Sequence, residues 1–257
     1  MLILLPPSEG KTQPLRGRPM DPAALSLPAL APTRDAVAAA VAQVSARPDA
    51  AALLKVSPTL SAEIARNTRL ATAPAAAALR VYSGVLYDAL GYAALSPAAR
   101  RRANRWLVVI SALYGAVRPT DRIAPYRLSM GVRLPGVGGL AATWRPVLDP
   151  VLTAAAGRGL VVDCRSSTYA AAWTPSGGVA SRWVQVQVPG ATHHAKHTRG
   201  LVAAALCSLA EEPRTPEALA QSLAPRFEVA LAAPTRPSHP WRLSITPPVT
   251  PFPPEPS

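Results

Sequence analysis

Residues 106–110, Trp106-Leu107-Val108-Val109-Ile110, run without a break into Ser111-Ala112-Leu113-Tyr114-Gly115. The first five are apolar and end β-branched, which reads as a buried strand. Just before them, 97–104 reads as a basic helix carrying Arg100, Arg101 and Arg102, with Arg105 following. A helix thus feeds directly into a core strand. Upstream, Leu2–Leu5 is a short apolar run stopped by Pro6 and Pro7, a second buried strand, followed by the polar loop Ser8-Glu9-Gly10-Lys11-Thr12. Helices are expected over 33–46 with Thr33 as N-cap, over 61–68 capped by Ser61, and over 74–79. Downstream, 141–155 has helical character that Pro146 and Pro150 interrupt or restart. Further strands are expected at 160–163, 183–188, 227–231 and 241–245, and a helix over 194–209 that begins basic and ends apolar. Strands and helices interleave irregularly, without a strict βαβ rhythm. That predicts one α+β domain with a mixed sheet and surrounding helices over 1–246. From 247 to 257 the chain is rich in Thr and Pro and reads as a disordered tail.

At 257 residues with 49% hydrophobic content, the chain can bury a substantial core. Its formal charge is +13, carried by 24 arginines and 3 lysines against 14 acids. Such a surface attracts polyanions, so nucleic acid and nucleotides lead the list of partners. Cys164 and Cys207 cannot build a disulfide framework and read as free thiols, compatible with a reducing cytoplasm. The opening apolar run is too short and lacks the basic flank of a signal peptide, and no stretch reaches membrane-spanning length. A cytoplasmic protein with no membrane partner is expected.

Several segments carry anion-binding chemistry. Gly10-Lys11-Thr12 follows a strand, as a P-loop does, but Leu5 stands where that motif needs glycine, and the two prolines offer no N–H. Lys11 remains well placed for an anion. Arg118, Arg122 and Arg127 fall within ten residues, interleaved with Pro119, Pro125 and Tyr126. Arg forks grip phosphate in pairs of hydrogen bonds, and Tyr stacks on bases. Asp121 offers the alternative of structural pairing within that segment. Leu134-Pro135-Gly136-Val137-Gly138 resembles the hairpin of a helix-hairpin-helix, although 128–133 does not read as the preceding helix. Ser167 and Tyr169, after the strand ending at Asp163, stand where α/β sites form. His193, His194 and His197 invite a metal reading, but Lys196 and Arg199 between and beyond them repel a cation. The basic start of that helix reads better as an anion site, and no metal or other cofactor is assigned.

Taken in order, these segments resemble the YaaA family of peroxide-stress proteins. The resemblance rests on the first strand with Pro7, Lys11 and Thr12, on Tyr82-Ser83-Gly84 with Tyr87, on 113–121 followed by Pro125-Tyr126-Arg127-Leu128-Ser129-Met130-Gly131, on 163–169, and on Lys196-His197-Thr198-Arg199-Gly200. It spans about 1–245. It implies a mixed α/β fold with a basic cleft, a cytosolic role in peroxide tolerance tied to limiting iron-driven damage, and DNA binding through the cleft. The DNA- or phosphate-binding set is Lys11, Arg118, Arg122, Tyr126, Arg127, Ser167, Tyr169, Lys196 and Arg199. The chain departs from the family at Ser129 and Thr168, which stand where acids are usual, and at His197 in place of a lysine. Two partners stay open, DNA and a small phosphorylated ligand. With the second comes the alternative of an enzyme acting on a nucleotide or nucleoside; the sequence assigns no catalytic residue.

Overall fold

The computed structural model describes residues 1–190 and 192–246; the expected Pro-rich tail at 247–257 lies outside them. In chain order the strands are β1 (Leu2–Leu5), β2 (Ala76–Ala77), β3 (Leu107–Ser111), β4 (Gly115–Val117), β5 (Arg122–Ile123), β6 (Arg133–Leu134), β7 (Gly138–Gly139), β8 (Val161–Asp163), β9 (Trp183–Gln187), β10 (Glu228–Ala232) and β11 (Trp241–Thr246). Seven form one mixed sheet in the order β10-β11-β9-β8-β1-β3-β4. Its five inner strands are parallel, and each edge strand pairs antiparallel with its neighbour. β1 is fully buried, which explains its four consecutive apolar residues: a parallel strand covered on both faces has no wet side to alternate toward. The architecture is the α+β mixed sheet read from the sequence.

Element boundaries moved where local chemistry competed. The first long helix is Ala31–Ser45, with Pro32 in its opening turn, so Thr33 is helical and Leu30 is the cap. Ser61 likewise opens the Ser61–Arg66 helix, which Leu60 caps. Residues 76–77 are extended because they pair with β5, and only Ala78–Val81 is helical in that stretch. The basic helix runs through Trp106 (Pro97–Trp106, capped by the Ser96 hydroxyl), and the strand begins at Leu107. The late basic helix is Thr192–Ser208. Pro146 and Pro150 do not break the Leu140–Ala156 helix. Both lie on its exposed side, where water takes the released carbonyls, while Leu140, Trp144, Leu148, Leu152 and Ala156 anchor the other side at four-residue spacing. β4 and the Pro216–Leu223 helix went unread in the sequence. The glycine-rich stretch 134–138 is a β-hairpin, β6 to β7, with no helix before it, so the helix-hairpin-helix reading fails.

Gly115 has φ of +70°, and a Cβ there would drive into the Trp144 ring. Trp144 instead lies flat against the bare backbone and donates its indole N–H to the Ala112 carbonyl at 2.8 Å. This ties the Leu140–Ala156 helix to the β3–β4 turn, from which 118–131 departs toward the site.

A candidate anion pocket at the strand ends

The segments following β1, β8 and β9 leave the carboxyl ends of parallel strands and meet at one cavity of about 450 Å³. That is the position where open α/β sheets place their ligands. β1 supplies Pro6 to Lys11, the segment after β8 supplies Ser166 and Tyr169, and the helix after β9 supplies His193, Lys196 and Arg199. The last three recur every third residue, so they share one face of the Thr192–Ser208 helix. Arg127, Leu128 and Ser129 close another wall, and Lys55, Ser83 and Tyr87 complete the lining.

The β1 loop is stitched to 81–83. Lys11 forms a β-bridge with Tyr82, the Thr12 N–H donates to the Val81 carbonyl at 2.8 Å, and the Ser83 N–H donates to the Ser8 hydroxyl at 3.1 Å. The Lys11 Nζ donates to the carbonyls of Ser8 at 2.7 Å and Glu9 at 3.3 Å. It also lies 4.2 Å from the centroid of the Tyr126 ring and 5.7 Å from that of Tyr82. Burial, reinforced by the neighbouring Arg127 charge, brings the Lys11 ammonium down to about 7, against the opposing pull of Glu63 and Glu9.

Beneath Lys11 runs a chain of hydroxyls. Ser111 Oγ lies 2.7 Å from Tyr126 Oη, which lies 3.2 Å from Tyr82 Oη. Ser111 Oγ already accepts from the N–H groups of Leu113 (3.2 Å) and Tyr114 (2.9 Å), so its own hydrogen is directed at Tyr126. Burial raises Tyr82, Tyr87 and Tyr126 well above the usual phenol range, and raises Tyr169 to about 12. All four are proton donors at neutral pH.

Arg127 bridges Glu63 at 3.2 Å and Glu9 at 3.5 Å. Its backbone is held on both sides by buried Asn67, whose Nδ2 donates to the Arg127 carbonyl and whose Oδ1 accepts from the Arg127 N–H, each at 2.8 Å. By contrast, Lys55, Lys196 and Arg199 make no ion pair among the described residues. The Arg199 Nε–H is shielded from solvent and has no acceptor among them. Such a group at a pocket wall suits an incoming anion.

Of the residues singled out in the sequence, Lys11, Arg127, Tyr169, Lys196 and Arg199 meet here, and Tyr126 lies directly under Lys11. Ser167 is exposed at the start of a short helix, and its neighbour Ser166 lines the pocket instead. Arg118 and Arg122 lie elsewhere. The Arg118 guanidinium donates to the Arg105 carbonyl at 2.7 Å and the Leu107 carbonyl at 3.4 Å, while Arg122 donates to the Ala75 carbonyl. Asp121 makes no ion pair with these arginines; its carboxylate accepts from Ser26 and from the Arg118 N–H. Asp163 is committed to Arg165 at 2.7 Å and to the Trp183 indole at 3.1 Å, and no group of three His, Cys, Asp or Glu among the described residues is arranged for a metal. Burial raises the Cys164 and Cys207 thiols to about 12. Of the family departures, Ser129 lines the pocket and His197 does not. The sequence reading missed Lys55, Asn67, Ser83 and Ser166. Lys55 had a signal as one of only three lysines, Ser83 and Ser166 sat in segments that carried the family resemblance, and Asn67 had none.

The family model described as peroxide stress protein YaaA matches residues 1–230. A UPF0246 protein of Streptomyces coelicolor is 46% identical over 254 residues, covering 95% of this chain and 98% of the relative. UPF0246 proteins of Corynebacterium efficiens and Corynebacterium glutamicum are 39% and 35% identical, each over 84% of this chain and 88% and 89% of their own lengths. No helix among the described residues is long and apolar enough to cross a membrane. With near-complete coverage on both sides and a family match that spans every segment lining the pocket, the chain belongs to the YaaA family of peroxide stress proteins.

Proposed function

We propose that the pocket binds a small phosphorylated ligand of the nucleotide class, and that the protein serves peroxide tolerance by holding or transforming it. The observation that carries this reading is convergence. Lys11, Arg127, Tyr169, Lys196 and Arg199 come from four remote stretches of chain and line one cavity. An extended DNA groove needs charge along a track. A walled space of about 450 Å³, inside the usual ~300–1,000 Å³ of ligand sites, needs a compact anion. The unpaired cations Lys55, Lys196 and Arg199 suit a phosphate, and Leu54, Val56, Leu86 and Leu128 give an apolar wall for a base or sugar face. Restraint of iron-driven damage is then exerted through what the pocket binds.

DNA binding keeps separate support. Arg101, Arg102 and Arg105 form a stripe along the Pro97–Trp106 helix, around a second surface hollow outside the pocket. Calorimetry with nucleoside mono- and diphosphates, nucleosides and inorganic phosphate tests the first reading. Arg199→Ala and Lys196→Ala should each weaken nucleotide binding about tenfold or more, near 1.4 kcal/mol. Duplex DNA anisotropy across salt concentrations, with Arg101→Ala and Arg105→Ala alongside, tests the second. Absent nucleotide binding, together with steeply salt-dependent DNA binding that these two substitutions weaken, would replace the first reading with the second.

A further inference from the structure

The chain holds 27 basic residues, of which 24 are arginine and 3 lysine. All three lysines, Lys11, Lys55 and Lys196, line the pocket at the strand ends, together with two arginines, Arg127 and Arg199. Elsewhere this sequence meets its need for positive charge with guanidinium. Arg118 holds carbonyls at the end of a helix, Arg165 pairs with buried Asp163, and Arg34 donates to the carbonyls of Tyr114, Ser26 and Ala116. Guanidinium does not lose its proton in proteins; a primary amine can, and then carries a nucleophilic lone pair. Lys55 holds its place even at a φ of +55°, a left-handed conformation that costs a residue with a side chain.

The three lysines are not alike. Lys55 and Lys196 are exposed and make no ion pair among the described residues, Lys55 donating only a long hydrogen bond to the Gly131 carbonyl at 3.4 Å, so both ammonium groups are open to a phosphate. Lys11 is fixed. Two of its N–H directions are taken by the Ser8 and Glu9 carbonyls, and the rings of Tyr126 and Tyr82 flank it with centroids 4.2 Å and 5.7 Å away. A neutral amine has two hydrogens, so those two carbonyls account for both and leave the lone pair. Burial together with the Arg127 charge brings its acidity to about 7, making the neutral form abundant under working conditions.

We propose that Lys11 is an imine-forming nucleophile for an aldehyde- or ketone-bearing phosphorylated ligand, which Lys55, Lys196 and Arg199 hold by its phosphate. This rests on the pocket binding a phosphorylated ligand. In the step, the Lys11 lone pair adds to the carbonyl carbon and a proton moves from nitrogen to oxygen. The carbinolamine then loses water, leaving a C=N bond to Nζ. Tyr169, protonated and lining the same cavity, is a proton donor for the departing oxygen. No oxidant or further reactant is consumed.

The test is reductive trapping on the full chain with glycolaldehyde phosphate and cyanoborohydride at pH 7, with the modified peptide located by mass spectrometry. Hydride adds to the imine carbon and leaves a stable secondary amine. An amine with pKa about 7 is half neutral at this pH, whereas an ordinary lysine is neutral in about one molecule in 3,000. Lys11 should therefore be modified at least tenfold faster than Lys55 or Lys196. Excess glycerol 3-phosphate, which has no carbonyl, should slow the trapping and raise the melting temperature. Lys11→Arg removes the primary amine and should yield no adduct at position 11, while the slow labelling of Lys55 and Lys196 persists. Even labelling of the three lysines, or none at Lys11, while glycerol 3-phosphate still binds, overturns the imine and leaves the phosphate site standing. Failure of glycerol 3-phosphate either to stabilise or to protect overturns the phosphate site, and selectivity for Lys11 then judges the amine alone.

Discussion

The α-carbon of Gly200 faces the Leu86 carbonyl oxygen with no room for a methyl group between them. The same absent methyl would also press on the Ala89 side chain at 2.8 Å. The Thr192–Ser208 and Val85–Leu90 helices therefore cross at backbone distance, and Gly200 sits one residue from Arg199 on the pocket wall. Gly200→Ala forces the helices apart. A loss of about 1–3 kcal/mol is expected in urea unfolding, with anion binding weakened in parallel because Lys196 and Arg199 shift with their helix.

The depressed acidity of Lys11 links stability to pH. In the unfolded chain this amine holds its proton up to about 10.5, while in the fold it releases it above about 7. Between those values the unfolded state binds more protons, so this group's contribution rises with pH and is lost as pH falls toward 7. Cys164 and Cys207, raised by burial, work in the opposite sense at higher pH. Over pH 7–8.5 the parent should gain stability relative to Lys11→Met by up to about 1.4 kcal/mol per pH unit. Parallel unfolding curves at each pH measure it, and a flat difference would return Lys11 to an ordinary ammonium. Binding of sulfate, whose charge does not change in this range, should weaken over the same interval as Lys11 loses its charge.

Asn67 has no exposed surface and spends its amide on the Arg127 backbone and on Ser45 Oγ at 3.0 Å. Asn67→Ala leaves these groups without partners. A loss of about 2–4 kcal/mol is expected, with the Arg127 side chain released from its fixed place between Glu9 and Glu63. Chemical denaturation gives the first number, and binding of inorganic phosphate reports the second.

Asp163 and Arg165 form a buried pair that also satisfies the Trp183 indole and the Trp173 carbonyl. Removing one partner strands the other charge in the core. Asp163→Ala should cost about 3–5 kcal/mol, and adding or chelating divalent metal should not change that cost. A metal-dependent stability at this position would overturn the purely structural role of Asp163.

Arg118 separates scaffold from site. Arg118→Ala removes its hydrogen bonds to the Arg105 and Leu107 carbonyls and should lower stability by about 1–2 kcal/mol, while phosphate binding stays within twofold. A large loss of binding with unchanged stability would place Arg118 back among the anion contacts.

What the sequence disclosed follows physical range. β1 and β3 were readable because burial on both faces leaves an unbroken apolar run that no other element explains. Lys11, Lys196 and Arg199 drew attention as cations just after a strand or at a helix start, and Arg127 as part of an arginine cluster; all four line one cavity. Ala76–Ala77 was misread as helix because its strand state is imposed by β5, far along the chain, and not by its alanines. Arg118 was grouped with the pocket cations but lies apart from them for a related reason: its carbonyl partners are set by how the helix ending at Trp106 packs, which no local pattern records. Asn67 left no signal, since an asparagine that braces a remote backbone looks like one in a turn.

β1 sits between β8 and β3, strands that begin at residues 161 and 107. A chain emerging from the ribosome presents Leu2–Leu5 well before either partner strand, and β1 gains its second neighbour only when β8 follows, some 155 residues later. Until β3 is made this all-apolar segment is unpaired, and until β8 is made one of its backbone edges stays free, the kind of segment that chaperones bind and that aggregates when they do not. The pocket inherits this schedule. Its Lys11 loop is synthesised long before the Tyr169 and Arg199 walls, so anion affinity should appear only once the chain has been made past Arg199, making ligand protection a clock for assembly of the strand-end site.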